Sequence, residues 1–160
     1  MLIAVISDTH LPEPTAWFRR IFEQHLAQAD TLVHCGDVTG PGLLAFLEGC
    51  HPDFHSVCGN MCAGPVHSRL SARLSLNREG FRLGVMHGYG PRSEVPDFVA
   101  DAFGPDYDVL CFGHTHRFTW ASRDGVRLLN PGALQEGDGS FALLTLERGR
   151  EPEARQILVS

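Results

Sequence analysis

Three short apolar runs alternate with helical stretches in the first sixty residues. "LIAVI", from Leu2 to Ile6, is continuously apolar, as is typical of a strand covered on both faces. "TLVHCGD" (31–37) and "FHSVCGN" (54–60) are the next two predicted strands. A helix that begins after Thr15 as its N-cap and a second helix over 42–49 separate them. This strand–helix–strand–helix–strand order predicts right-handed crossovers and a parallel sheet.

The rest of the chain predicts a second sheet. Alternating apolar residues over 72–88 surround a turn at 77–80, which indicates a hairpin. A helix over 93–103 and an apolar strand over 107–116 follow, and then further hairpins with turns at 124–125 and 147–152. We therefore expect an α/β protein with two packed sheets, in one domain over 1–160.

Composition limits the partners and the compartment. A net charge of −6 weighs against binding to extended nucleic acid. No apolar run approaches the ~20 residues that span a bilayer, and the start has no basic segment before an apolar one, so we expect no membrane partner, no signal peptide and a cytoplasmic location. The five cysteines form no disulfide framework and are expected to be reduced. Nine histidines exceed what packing requires and point to metal chemistry.

Metal-binding residue types follow the apolar strands, each beside a glycine or a turn. Ligands bind outside the carboxyl ends of strands in open α/β sheets, so residues from distant parts of the chain converge there. Imidazole, carboxylate and amide donors suit Mn²⁺, Fe, Zn²⁺ or Ni²⁺ better than a structural thiolate zinc site. The candidate ligands are Asp8, His10, Asp37, Asn60, His87, His114 and His116.

The motifs "DTH", "GD", "GN", "HG" and "GHTH", in this order, resemble the calcineurin-like metallophosphoesterase superfamily. The short length and the segment "NPGA" (130–133) resemble its small bacterial and archaeal phosphodiesterases, and the resemblance extends from Leu2 to about Leu146. It implies a four-layer α/β/β/α sandwich of two mixed β-sheets flanked by helices.

The resemblance also implies a dinuclear site and a hydrolase. Asp8, His10 and His116 would hold one divalent ion. Asn60, His87 and His114 would hold the other, and Asp37 would bridge the two. Mn²⁺ is the first choice for both ions. The implied activity is phosphodiester hydrolysis by a hydroxide that bridges the metals, with Asp37, His87 and Asn60 as the catalytic residues.

Other residues are predicted around this site. Arg92 is a candidate for contacting a phosphate oxygen, and Tyr89 either lines a substrate pocket or lies on the surface. Asn130 to Ala133 are expected to support the loop that carries His114 and His116, and His34 is expected in the core or behind the ligands. His25, His51, His55 and His67 have no surrounding motif and are predicted to lie on the surface.

The sequence departs from the family pattern after Asn60. Many members carry an acidic residue or a histidine there, whereas this chain has Met61 and Cys62. A general acid contributes about 10²–10⁴-fold, so leaving groups of low pKa should be preferred unless another residue donates the proton. Met61 and Cys62 pack at the rim of the site, or Cys62 serves as a weak acid or binds a soft metal.

Two alternatives to the phosphodiesterase stay open at the sequence level. One is a non-catalytic, metal-stabilised scaffold for partner proteins, like the retromer subunit of the same fold. The other is a phosphomonoesterase or nucleotide pyrophosphatase with the same site. The expected partner is a small phosphorylated or phosphodiester substrate, and the oligomeric state is left open.

Overall fold

The computed structural model describes residues 1–160, which form ten strands and four helices. The strands are β1 (Leu2–Ile6), β2 (Thr31–His34), β3 (Phe54–Ser56), β4 (Arg73–Arg78), β5 (Phe81–Met86), β6 (Val109–Phe112), β7 (Phe118–Arg123), β8 (Val126–Pro131), β9 (Gly139–Thr145) and β10 (Glu153–Val159). The helices are α1 (Ala16–Ile21), α2 (Pro41–Cys50), α3 (Gly64–His67) and α4 (Val95–Phe103), and a π-helical turn over Phe22–Leu26 continues α1.

The strands form two mixed sheets of five. The first has the order β10-β9-β1-β2-β3. In this sheet β1, β2 and β3 are parallel, as predicted, and β9 runs antiparallel to both of its neighbours, β1 and β10. The second has the order β4-β5-β6-β8-β7, in which β5, β6 and β8 are parallel and the two edge strands are antiparallel. The expected hairpin turns at 77–80 and 124–125 join β4 to β5 and β7 to β8.

Three apolar clusters account for the four layers. Alternate residues of β1 point to opposite faces, so Ala4 and Ile6 pack under α1 and α2 whereas Ile3 and Val5 pack between the sheets. On the far side of the second sheet, Leu110 packs against α4. The order is therefore helices, sheet, sheet, helix, which confirms the α/β/β/α sandwich.

Several boundaries differ from the sequence predictions. The strands predicted over 31–37, 54–60 and 107–116 end earlier, at His34, Ser56 and Phe112. Their polar ends turn into loops, because residues such as Gly36 (φ 103°) and Asp37 (φ 63°) leave the extended region. The second helix runs from Pro41 to Cys50, beyond the glycine expected to close it.

The prediction that His51 lies on the surface is wrong. Its side chain is buried, Nε2 donates to the carbonyl of Ala29 at 3.1 Å, and Nδ1 accepts from the amide of Asp53 at 3.2 Å. All five cysteines are free thiols, as expected. No helix has both the length and the apolar character needed to cross a membrane.

Candidate metal centre

The candidate site lies where the ends of four parallel strands from the two sheets meet. The loops after β1 and β2 come from the first sheet, and the loops after β5 and β6 come from the second. The loop after β3 completes the rim. Together these loops carry all the predicted ligands: Asp8, His10, Asp37, Asn60, His87, His114 and His116.

Asp8 lies at the centre and is fully buried. Its Oδ2 accepts hydrogen bonds from Ser7 Oγ at 2.6 Å and from the amide of His114 at 3.1 Å. Its Oδ1 has no hydrogen-bond partner, although the Nε2 atoms of His116, His87 and His10 lie 3.1, 3.8 and 3.9 Å from it. One oxygen is therefore fixed by the protein, and the other faces three imidazoles.

His87 is held with one ring nitrogen directed at the carboxylates. Its Nδ1 lies 2.8 Å from the carbonyl oxygen of Cys35, which can only accept, so Nδ1 carries a proton. In the neutral ring Nε2 then has a free lone pair, and this buried atom also lacks a hydrogen-bond partner. It lies 3.4 Å from Asp37 Oδ2.

Asp37 presents a single oxygen to the site. Its Oδ1 accepts a hydrogen bond from the amide of Met61 at 2.8 Å. Its Oδ2 lies 3.4 Å from His87 Nε2 and 3.8 Å from His10 Nε2. A bridging role would therefore fall to Oδ2 rather than to both oxygens.

The charges of this group attract a cation. Burial disfavours the ionised form of Asp37, but the imidazole of His87 and the amide of Met61 outweigh burial and lower the pKa of Asp37. Burial likewise disfavours the charged form of His87, but Asp37 and Asp8 outweigh burial and raise the pKa of His87. The two carboxylates thus stabilise positive charge at the point between them.

His10 and His116 complete one side of the centre. Their Nε2 atoms lie 3.5 Å apart, and Asp8 Oδ1 is close to both. The ligand atoms of these three residues lie within 4.8 Å of one another, as do those of Asp8, Asp37 and His87. Asp8 is common to both groups, whereas the resemblance assigned it to one ion only.

Asn60 and His114 form the other side. His114 Nε2 lies 3.0 Å from the carbonyl of Gly90, so Nε2 carries the proton and Nδ1 has the lone pair. That lone pair faces Asn60 Oδ1 at 3.2 Å. Two acceptors directed at each other at this distance are satisfied by a cation between them or by rotation of the Asn60 amide.

The backbone is left-handed at five of the seven candidate ligands. Their φ angles are 53° at Asp8, 51° at His10, 63° at Asp37, 66° at His114 and 60° at His116. This region is uncommon for residues other than glycine, and such residues concentrate at functional sites. Because the backbone reverses at each of them, neighbouring side chains can turn into one small volume.

A second layer of polar residues fixes the loops. Asn130 Nδ2 donates to the carbonyl of Gly113 at 2.7 Å and to Thr115 Oγ1 at 3.0 Å, so it supports the histidine loop (residues 113–116) as predicted. His34 is buried, accepts from the amide of Gly36 through Nδ1, and donates through Nε2 to Thr9 Oγ1 at 3.1 Å. Burial, with His87 nearby, lowers the pKa of His34 to about 3, so it is neutral at pH 7.

Neither Met61 nor Cys62, the residues after Asn60, carries a carboxyl group or an imidazole. Met61 is 56% exposed at the rim, and Cys62 packs partly against the core beneath α2. The sulfur of Cys62 accepts from the amide of Gly59 at 3.2 Å. This arrangement agrees with rim packing.

Tyr89 and Arg92 lie on the loop after His87. Tyr89 is 62% exposed and its ring packs on Phe98 with centroids 4.3 Å apart. Arg92 lines a groove that also contains Thr115 and Arg117. Sequence reasoning missed Arg117 and Ser7, although each is the immediate neighbour of a candidate ligand.

The residues present fit a divalent cation. Asp8 Oδ1 and His87 Nε2 are buried, unpaired and close to each other, and such atoms are rare in native proteins unless an ion or water satisfies them. The surrounding donors are carboxylate oxygens and imidazole nitrogens, which suit divalent transition metals.

Comparisons with known proteins find relatives along most of the chain. A probable metallophosphoesterase of Methanothermobacter thermautotrophicus is 34% identical over 134 residues, which cover 83% of this chain and 77% of the relative. Vacuolar protein sorting-associated protein 29 of Schizosaccharomyces pombe is 26% identical over 137 residues, or 83% of this chain and 72% of that protein. The solved structure of an archaeal phosphodiesterase has a TM-score of 0.74 and 23% identity and covers 99% of this chain and 100% of that one.

The family follows from a match over most of the sequence. The model of the calcineurin-like phosphoesterase superfamily domain matches residues 1–149. On this evidence, and with the two-sheet fold and the convergent ligand set, the chain belongs to the calcineurin-like phosphoesterase superfamily.

Proposed function

We propose that the protein is a metal-dependent phosphodiesterase that acts on a small substrate through two divalent cations, with Mn²⁺ as the first choice. The observation that carries the proposal is the pair of buried, unpaired atoms, Asp8 Oδ1 and His87 Nε2, directed at the same point as Asp37 Oδ2. Asp8, His10 and His116 would hold one cation, Asn60, His87 and His114 the other, and Asp37 Oδ2 would lie between them.

Two bound cations would activate water and neutralise phosphate oxygens. The protein's own contribution is to hold the ligands in place. The carbonyls of Cys35 and Gly90 fix the tautomers of His87 and His114 so that each presents a lone pair. Ser7 and the amide of Met61 orient Asp8 and Asp37. Arg92 and Tyr89 are proposed to contact the substrate.

The leaving group should be a good one. Met61 has no acidic proton, and Cys62 packs against the core and carries only a weakly acidic thiol, so the loop after β3 supplies no strong general acid. We therefore expect p-nitrophenyl esters to be hydrolysed far faster than alkyl esters of the same phosphate.

The test is hydrolysis of bis(p-nitrophenyl) phosphate by protein that has been stripped with chelator and then supplied with Mn²⁺. Activity should return with Mn²⁺ and should be lost in Asp37→Asn. Asp106→Asn, an exposed carboxylate without an ion pair, is the matched control and should keep the activity. Parallel assays on p-nitrophenyl phosphate separate a diesterase from a monoesterase. Restored turnover in Asp37→Asn would refute the proposed site.

A non-catalytic scaffold is the second candidate, favoured by the similarity to vacuolar protein sorting-associated protein 29 and by the missing acid. It predicts that Mn²⁺ raises the melting temperature without any turnover of either ester. A cation present at one hundred times its Kd stabilises by about 2.7 kcal/mol, which is about 5–11 °C for a chain of this size. Stabilisation without hydrolysis would replace the enzyme proposal with the scaffold.

A further inference from the structure

We propose that the groove beside the histidine loop binds a second phosphate group of the substrate. This inference rests on the proposed function, because it assumes that the first phosphate occupies the metal centre. It narrows the substrate to phosphoesters that carry another phosphate on one side of the bond that is cleaved.

The groove is cationic and has a volume of about 550 Å³. Two guanidinium groups and three hydroxyl-bearing residues line it, and no acidic residue does. Thr115, which lies between the candidate ligands His114 and His116, connects the groove to the metal centre. The lining residues are Arg92, Ser93, Pro96, Thr115, Arg117 and Thr119.

Both guanidinium groups are free to bind a ligand. The chain has no lysine, so its thirteen formal side-chain cations, apart from histidine, are all arginines. Eight of these arginines use their side chains in a hydrogen bond, an ion pair or a cation–π contact within the protein. The side chains of the other five make no such contact, and two of these, Arg92 and Arg117, line this one groove. In a chain of net charge −6, arginines whose side chains make no ion pair favour an anion.

The groove on the other side of His116 has the opposite character. It measures about 530 Å³ and includes Glu136 and Asp138, with Arg117 at the border between the two grooves. An anionic substituent is repelled there and attracted on the Arg92 side. The charge difference across the histidine loop would therefore orient an asymmetric substrate.

The test compares three ligands that share one nucleoside: thymidine 5′-monophosphate, thymidine 5′-diphosphate and thymidine 3′,5′-bisphosphate. Binding to the Mn²⁺-loaded protein is measured by calorimetry. A guanidinium–phosphate contact is worth about tenfold to a hundredfold, so at least one ligand with a second phosphate should bind at least about tenfold more tightly than the monophosphate.

The preference should disappear in Arg92→Ala/Arg117→Ala. It should persist in the matched control Arg148→Ala/Arg155→Ala, which removes the same charge from arginines that line neither groove. The inference is overturned if neither second phosphate helps, if the preference survives the groove variant, or if both double variants lose it equally. Turnover of bis(p-nitrophenyl) phosphate by the wild-type protein is measured alongside. Its absence would refute the proposed function while the binding preference still reports on the groove.

Discussion

Gly113→Ala, which adds a single methyl group, should displace Ser7 and Asp8 in the candidate site and destabilise the protein. A Cβ atom built on Gly113 would overlap Ser7 Oγ and would lie 2.8 Å from Asp8 Oδ2 and 2.9 Å from His87 Nδ1. Carbon does not approach oxygen or nitrogen so closely, so the Ser7 hydroxyl must rotate away and Asp8 must shift. The backbone of Gly113 does not have a positive φ, so the effect is steric and not conformational.

The cost has two parts. Overpacking a buried position costs about 1–3 kcal/mol. Loss of the 2.6 Å bond from Ser7 Oγ to the Asp8 carboxylate costs about 1.5–3 kcal/mol, the range for hydrogen bonds to charged groups. Since the two parts overlap, we expect Gly113→Ala to lower the free energy of unfolding by about 3–5 kcal/mol, or about 6–20 °C in melting temperature.

Gly49→Ala is the matched control. Gly49 lies in α2 with nothing near the position of its Cβ, so the same substitution should stabilise the protein by up to about 1 kcal/mol. Chemical denaturation of both variants should give changes in the free energy of unfolding of opposite sign.

In the double variant Ser7→Ala/Gly113→Ala, the hydroxyl that clashes is absent. Its destabilisation should fall at least about 1 kcal/mol short of the sum of the single variants. Additive changes, or a neutral Gly113→Ala, would refute this account of the packing beneath the site.

Three further outcomes are expected away from the ligands. Burial opposes ionisation of Asp53, but hydrogen bonds from Thr31, Arg78 and His55 prevail and lower its pKa from 3.8 to about 2. The stability from this network is therefore present above about pH 4 and lost as the pH falls to about 2, and Asp53→Asn should remove that part of the acid dependence of the urea midpoint. Burial raises the pKa of Cys111 to about 12, so Ellman's reagent should label exposed Cys50 in the native protein and reach Cys111 only after unfolding. Thr15→Ala removes the cap on the amide of Phe18 and should cost about 1 kcal/mol, whereas Thr15→Ser should cost less.

The sequence predicts the fold well because its signals are periodic and local. Apolar runs identified the strands, and the choice of Thr15 as an N-cap is confirmed by its bond to the amide of Phe18 at 3.1 Å. Strand ends were predicted too late, because hydropathy does not register a backbone reversal such as that at Gly36 and Asp37. Helix α3 was missed, since four residues are too few to show a helical period.

For the candidate site, the residue types in the sequence predicted the ligands but not the contacts that they make. Polar residues at strand ends indicated where the ligands converge, because the carboxyl ends of parallel strands share one edge. The roles of Ser7 and Arg117 depend on contacts that no spacing encodes. The buried position of His51 likewise depends on the distant carbonyl of Ala29. The hydrogen-bond network of Asp53 could not be predicted either, because it joins Thr31 in β2 of one sheet to Arg78 of the other.

Because the backbone is left-handed at five candidate ligands, a single loop of the site would not keep its geometry outside this fold. Each such residue costs about 1 kcal/mol relative to the right-handed form, so the five together approach the whole net stability of an ordinary domain, about 5–15 kcal/mol. A peptide that contains "GHTH", or the same loop grafted onto another scaffold, would relax to extended or right-handed forms and separate His114 from His116. The constellation is thus a property of two docked sheets, and a designer who wants it must transplant the sandwich that holds it.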